Sequence, residues 1–307
     1  AAGQCWGAPL DGFSAASTIL PGAASEGGGS ACHRLVVSPA LHAAFGALAR
    51  RQGTTQSSVL QLAWARVVSR YSGRHDVVFG VTGAGRPPEM ADIEASVGVF
   101  INTVPARFRL AANARVGDLL RECHAQQVQR DEHAFLPLSR IQALSDIRAD
   151  TPLFESLLVF ENYPVANGDG DADPTSDSLQ ASLLGSQERS NYPLSLCIVP
   201  TADSLVVNLN HDLARYPVSQ ARAMLQHFEQ ALQGIVDHVD APLGRLPTLL
   251  ADQAAALRQW SAAASAALPT RSLLQQHADI VARHGGRTAV VNAEGSIAHA
   301  PLDARAT

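Results

Sequence analysis

A histidine beside an aspartate is the most site-like pair of side chains in the sequence. His211 and Asp212 follow an alternating apolar run that begins at Leu205, so the pair lies at the end of a predicted strand. A carboxylate beside an imidazole can set its tautomer and basicity, as general-base catalysis requires. Adjacent strand residues, however, point to opposite faces of a sheet. A strand-end cap or a surface position is therefore the favoured alternative for His211.

Two further patterns are weaker candidates for chemistry. Cys5 lies in a G-x-C-x-G pattern, which can present a nucleophile on a strand-to-helix turn, but no strand is predicted before it and no helix after it. His277 and His284 share a face of a predicted helix but lie two turns apart, too far to bind one ion. Because no H-x-x-x-H pair occurs among the eleven histidines, we expect no metal site.

A glycine-rich turn offers a possible anion site. Gly83 and Gly85 supply backbone amides next to Arg86, and the two prolines that follow exclude a helix there. The same arginine can instead hold the turn by donating to backbone carbonyls. Both alternatives remain open at this stage.

The composition excludes several classes of function. The net charge of -5 and a pI near 6.1 give no overall basic field, so nucleic-acid binding has no electrostatic support. All 23 basic residues are arginine, and without lysine the chain can build neither a Schiff base nor a lysine-containing phosphate loop. Four widely spaced cysteines indicate a reducing, cytoplasmic setting, and no apolar run is long enough to span a membrane. Since there is no initiator Met, we expect a longer parent protein.

Helical and strand patterns alternate along the chain, which predicts the α/β class. Helices are predicted after Ser38-Pro39, after Thr54 or Thr55, around 116–123, over 219–239 and over 273–284, and strands over 77–82, 96–105, 154–160, 194–198, 205–209 and 288–291. Residues 11–31 and 167–178 are predicted to be irregular, and the alanine-rich stretch 249–269 to be a linker.

Two sequence blocks carry a specific family resemblance. Residues 77–87 read VVFGVTGAGRP, and residues 97–105 read VGVFINTVP, with Arg107 two positions further on. These blocks closely resemble the condensation domains of nonribosomal peptide synthetases, whose members typically show D-x-V-F-G-x-x-x-S-G-R-P and V-G-x-F-I-N-T-x-P-x-R. Later blocks agree in order: FLPL at 135–138, TPLFESLLVFENYP at 151–164 and NYPL at 191–194. Trp6 resembles the tryptophan that opens this half of the domain.

The resemblance implies a chloramphenicol-acetyltransferase-like fold of two lobes with a tunnel between them. This chain corresponds to the C-terminal lobe, a mixed sheet flanked by helices. The family's H-H-x-x-x-D-G motif, whose second histidine positions or deprotonates the acceptor amine, belongs to the N-terminal lobe. No His-His pair occurs in this sequence, so the resemblance places no catalytic residue in it.

By the same resemblance, segments from the two blocks described above form the floor of the tunnel, and part of 163–190 forms a latch. The implied floor residues are Arg86, Pro87, Gly98, Phe100, Asn102 and Thr103. Asn102 is the polar residue expected nearest the tunnel, and its alternative role is to satisfy the end of a strand. Arg86 either holds its turn or contacts phosphopantetheine.

The implied reaction joins an acyl or peptidyl thioester to an aminoacyl thioester as an amide. No cofactor is bound directly, because the substrates arrive on the 4'-phosphopantetheine arms of upstream and downstream carrier domains. Residues 273–307 resemble the start of an adenylation domain, although His299 and Pro301 depart from its usual Tyr and Glu. The implied organisation is condensation lobe 1–248, linker 249–272 and truncated adenylation domain 273–307.

Two rivals remain. An epimerisation domain shares the fold and the motif order, but the wording F-I-N-T at 100–103 favours condensation. A non-catalytic fragment that serves as a carrier-docking or scaffold surface is the alternative from another class. Because the H-H-x-x-x-D-G motif is absent from the chain, we expect the isolated chain to be inactive.

Overall fold

The protein is described from a computed structural model, which divides into two compact units, Ala1–Leu250 and Ala251–Thr307. The described residues are 6–7, 9–19, 28–83, 92–93, 95–148, 150–161, 190–201, 204–262, 271–293 and 295–306.

Unit 1 alternates strands with helices. In chain order its elements are β1 (Ser30–Val37), α1 (Pro39–Arg51), α2 (Gln56–Ser72), β2 (Asp76–Gly83), β3 (Asn102–Arg109), α3 (Val116–Glu132), α4 (Leu138–Gln142), β4 (Ser156–Phe160), β5 (Leu194–Pro200), β6 (Leu205–Asp212), α5 (Val218–Asp237) and a 3-10 turn (Leu243–Arg245).

The six strands form one mixed sheet in the order β1-β6-β5-β4-β2-β3. Strand β4 runs parallel to β2 and β5, whereas the other neighbouring pairs are antiparallel. Helix α2 packs against both α3 and α5, and these helices contact the strands. The predicted α/β lobe with a mixed sheet flanked by helices is confirmed.

Local signals account for the helix boundaries. The Ser38 hydroxyl accepts a hydrogen bond from the Leu41 amide at 3.2 Å, and Pro39 occupies the first turn of α1. Thr55 caps α2 in the same way through the Ser58 amide. Gly73 ends α2 in the left-handed conformation at φ 68°. These predicted starts and stops are confirmed.

Two predicted boundaries are wrong. The strand predicted over 96–105 begins only at Asn102, and residues 96–101 lie outside the strands. Residues 30 and 31, predicted to be irregular, already belong to β1, which pairs along its whole length with β6. That pairing is a long-range contact, so no local turn or propensity signal announces it. The acidic stretch 167–178 lies outside the described residues.

A buried arginine fixes the N-terminal segment to the sheet. Arg107 on β3 is 8% exposed, and its Nε and Nη2 donate to the two carboxylate oxygens of Asp76 on β2 at 2.8 and 2.6 Å. Its Nη1 donates to the carbonyls of Pro9 and Asp11, both at 2.8 Å. The guanidinium also lies over the Phe13 ring at 5.1 Å. One side chain therefore joins two strands to the segment that precedes them.

Replacing this guanidinium with an apolar chain of similar length should strongly destabilise unit 1. In Arg107→Met the Asp76 carboxylate and two carbonyls lose their donors, and leaving a buried acceptor without its donor costs about 1–3 kcal/mol. Urea unfolding followed by tryptophan fluorescence measures this, because Trp6 and Trp64 are buried in unit 1 whereas Trp260 is exposed. The control is Arg148→Met, which removes an exposed pair with Asp150 and should change the stability far less, because solvent screens this pair. Equal losses in the two variants would contradict the interpretation.

Unit 2 is small, and its described helical residues include no buried side chain. It contains α6 (Ala251–Ser261), α7 (Leu273–His284), β7 (Thr288–Asn292), β8 (Gly295–Ala298) and α8 (His299–Ala306). Helix α7 begins with a capping box between Ser272 and Gln275, and strands β7 and β8 pair antiparallel. The helix and strand predicted beyond residue 272 are confirmed, and the predicted linker contains α6.

Candidate functional site

The end of β2 and the start of β3 lie side by side in the sheet. Gly83, the last residue of β2, pairs directly with Asn102, the first residue of β3, so both ends of the segment 84–101 join the sheet at one place. Two of the predicted floor residues, Arg86 and Pro87, belong to this segment but lie outside the described residues. The others lie in residues 95–101, here called the returning arm, and at the start of β3.

The returning arm exposes apolar side chains. Val97 is 100% exposed, Val99 95% and Ile101 56%, and Phe135, on the loop beside Asn102, is 50% exposed. We call these four residues the apolar strip. Gly98 is also exposed and Phe100 is half-buried. Contiguous exposed apolar residues of this kind mark an interaction surface.

Asn102 connects the start of β3 to the loop before α4. Its side-chain nitrogen donates to the carbonyls of Ala134 at 2.7 Å and Leu136 at 2.8 Å, and its Oδ1 accepts from the Thr103 amide at 2.9 Å. Thr103 itself pairs with Thr82 across the two strands. These contacts are those of the strand-end role, whereas the tunnel position of Asn102 stays a prediction.

The loop held by Asn102 is also held by the N-terminal segment. The Trp6 indole is 2% exposed, and its Nε1 donates to the His133 carbonyl at 3.3 Å. Residues 133–136 are thus fixed from two sides, and they overlap the aromatic-proline block at 135–138. The sequence does not reveal that this loop contacts Asn102 and Trp6. The acceptors in the loop are backbone carbonyls, which every residue type has.

A glycine in the first block permits close packing. A Cβ atom at Gly80 would overlap the Phe154 ring, and Phe154 stacks on Tyr192 with ring centroids 5.4 Å apart. Three blocks that are distant in the sequence therefore meet at one point. Sequence reasoning assigned no role to Gly80, although its place inside a buried strand is a signal for a close approach.

His211 is a core residue, so its predicted surface position is wrong. It is 2% exposed, and its ring stacks on His33 with centroids 5.1 Å apart. Its Nδ1 lies 2.8 Å from the Tyr216 carbonyl, which can only accept, so Nδ1 carries the proton. Burial lowers the pKa of His211, against the opposing effects of the Tyr216 carbonyl and the Asp212 carboxylate.

The Asp212 carboxylate does not form a catalytic pair with His211. Asp212 Oδ1 accepts from the Ala214 amide at 2.9 Å and thereby caps the turn after β6. The Nε2 atom of His211 is buried and has no hydrogen-bond partner among the described residues. The pair therefore acts in packing and in the turn, as adjacent residues on opposite faces would.

The remaining chemical candidates do not converge on a site. Cys5 lies outside the described residues, and His277 in unit 2 lies 3.2 Å from the Asp303 carboxylate. In the part of the chain that the structure describes, no three His, Cys, Asp or Glu side chains are grouped to hold a metal ion. No described helix combines the length and apolarity of a membrane span.

Sequence comparison identifies the class to which this lobe belongs. The profile of the condensation domain matches residues 5–258. Chondramide synthase of Chondromyces crocatus is 35% identical over 233 residues, which are 75% of this chain and 6% of that protein. A linear gramicidin synthase of Brevibacillus parabrevis is 38% identical over 187 residues, 61% of this chain and 2% of that protein. The chain spans only a small part of these relatives.

Solved structures agree on the fold. A four-domain nonribosomal peptide synthetase bound to AMP and glycine matches 98% of this chain and 24% of its own, with a TM-score of 0.68 and 17% identity. The condensation domain of the monacolin K polyketide synthase matches 79% of this chain and 58% of its own, with a TM-score of 0.61 and 18% identity. The fold is thus the chloramphenicol-acetyltransferase-like fold of condensation domains. The chain belongs to the condensation domain family.

Replacing Asn102 with the isosteric Asp tests its strand-end role without changing the shape of the side chain. In Asn102→Asp the acceptor for Thr103 remains, but a carboxylate cannot donate to the Ala134 and Leu136 carbonyls. We expect the free energy of unfolding to fall by about 1–3 kcal/mol, measured by urea unfolding.

The matched control is Asn210→Asp on β6, whose side chain makes a long 4.0 Å contact with Cys197 Sγ. We expect a smaller loss for this variant. A stability of Asn102→Asp at or above that of the control would argue against the strand-end role.

Proposed function

We propose that this chain supplies the C-terminal lobe of a nonribosomal peptide synthetase condensation domain. The complete domain forms an amide bond between a donor acyl or peptidyl thioester and the α-amine of an aminoacyl thioester. The observation that carries the proposal is the apolar strip, three of whose four residues lie in the family's block at 97–105, next to the anchoring residue Asn102. A second lobe packed on this strip would bury it and close a tunnel over it.

In this proposal the C-terminal lobe positions the substrates, and the N-terminal lobe supplies the catalytic base. The sequence contains no His-His pair, and the most site-like histidine, His211, is committed to the core. The acceptor amine must be neutral to attack, and two tethered substrates must meet in one orientation. We assign the floor of the tunnel to Arg86, Pro87, Gly98, Phe100, Asn102 and Thr103.

The partners follow from that reaction. Carrier domains on both sides deliver their substrates on 4'-phosphopantetheine arms, and the chain holds no cofactor of its own. The similarity to a four-domain nonribosomal peptide synthetase supports this, and the two sequence relatives described above are also synthases. Such a domain would work in the cytoplasm, without nucleic acid or membrane.

We further propose that unit 2 from residue 273 onward is the beginning of an adenylation domain. The division between Leu250 and Ala251 lies close to the proposed lobe end at 248, and the match to the four-domain synthetase extends over unit 2. Leu273, Leu274 and Val291 are more than 70% exposed, as expected of a segment whose own core lies further along the chain. The proposed organisation is lobe 1–248, linker 249–272 and adenylation segment 273–307.

Amide formation by a longer chain tests the function. The 307-residue chain should yield no amide from two loaded carrier proteins, whereas a chain extended upstream to include H-H-x-x-x-D-G should yield it. Exchange of the second histidine of that motif for alanine should lower the rate by about 100-fold or more. The product is measured by mass spectrometry after release from the carrier.

Three results would contradict the proposal. Turnover by the 307-residue chain would place the catalytic group within it. Full activity of the alanine variant would remove the histidine from the reaction. An upstream sequence that lacks the motif would leave a non-catalytic scaffold.

A further inference from the structure

A cavity of about 380 Å³ lies between the C-terminal half of α2 and α5, and none of the residues assigned to the tunnel floor is among its described lining residues. We call it the α2–α5 cavity. Its wall is completed by the segments around residues 110–112 and 243–248. This volume is within the range of about 300–1,000 Å³ that is typical of small-molecule sites.

The permanently charged side chains that line this cavity are two arginines. Arg66, Arg70, His75 and His227 lie in its wall, and none of the described lining residues is an Asp or Glu. The Tyr71 hydroxyl lies 2.9 Å from Nδ1 of His227 and orients that ring. A concave, partly enclosed surface of one sign focuses the field and favours an ion of opposite charge.

Arg66 is the more buried of the two arginines in this wall. It is half-buried, and it donates to the carbonyls of Leu243 at 3.0 Å and Pro247 at 3.3 Å. Burial and the neighbouring charge of Arg70 lower the pKa of Arg66. Because carbonyl oxygens are neutral acceptors, these bonds satisfy two of its five N–H groups without balancing its charge.

Much of the rest of the wall is apolar, and Ser69, Gln230 and Thr248 are its other polar side chains. Val67, Leu110, Ala231, Leu243 and Pro247 face the same space. A ligand that fits must therefore combine an oxyanion with a compact apolar body. A larger cavity of about 520 Å³, lined by Trp6, Arg109 and Arg130, also contains Glu122 and Glu132, whose carboxylates would repel an anion.

We propose that the α2–α5 cavity binds a small organic anion, a carboxylate or a phosphate carried on a compact apolar group. Arg66 is the main ligand of the oxyanion, and Arg70 adds a second charge at the rim. The site is independent of amide formation, so this inference goes beyond the proposed function. Arg66 and Arg70 also bond the backbone of residues 243–248, so an occupied site would stiffen the segment by which the chain leaves unit 1.

Calorimetric titration of the 307-residue chain tests the site. The probes are phenyl phosphate and benzoate, which separate the two kinds of oxyanion, and benzyl alcohol is the neutral control. We expect saturable binding of at least one anion and much weaker binding of the alcohol. Arg66→Gln should raise the Kd of that anion by at least about tenfold, because a charge-assisted hydrogen bond is lost. Arg51→Gln, on the exposed end of α1, should leave it unchanged.

Arg70→Gln keeps the test valid if Arg66→Gln does not fold, since the Arg70 side chain is exposed and its bond to the Thr248 carbonyl lies at the surface. It should weaken binding several-fold. The proposal is overturned if neither anion binds saturably, if benzyl alcohol binds as well as the anions, or if the Arg51 variant loses as much affinity as the cavity variants.

Discussion

The charge of Arg107 is the constraint on which the rest of unit 1 depends. A buried guanidinium is tolerated only where its donors meet acceptors, and here four hydrogen bonds reach Asp76, Pro9 and Asp11. Strands β2 and β3 and the N-terminal segment must therefore lie where this one group can reach them. Trp6 belongs to the same segment, and its indole holds the His133 carbonyl. The position of the loop at 133–136, and with it the contacts of Asn102, follows from the arginine.

The sequence blocks that identify the family contribute to this same set of contacts. Asp76 and Arg107 flank the two blocks that carry the family resemblance, and Asn102 from the second block bonds to the aromatic-proline loop. Gly80 allows the Phe154 ring to pack against the strand, and Phe154 meets Tyr192. The blocks thus hold the end of β2 and the start of β3, where the segment 84–101 joins the sheet. This is the segment to which most of the proposed floor of the tunnel belongs.

The sequence predicted most of the elements because their signals are local. Ser38, Thr55 and Gly73 mark helix ends by their own backbone chemistry, and β2, β5 and β6 are apolar runs bounded by turns. Strand β1 could not be predicted because it depends on pairing with β6. The start of β3 is predicted six residues early, because 96–101 has strand-like composition but is exposed. The burial of His211 could not be predicted because its stacking partner His33 lies far away in the sequence.

If residues 97–101 form a surface for a second lobe, as proposed, their backbone amides should be shielded once that lobe is present, and hydrogen–deuterium exchange measures this. Amides of residues 96–101 would be followed in the 307-residue chain and in a chain extended upstream by the length of one lobe. The proposal predicts fast exchange in the shorter chain and marked protection in the longer one, with β5 and β6 unchanged as internal references. Equal, fast exchange of residues 96–101 in both chains would contradict it.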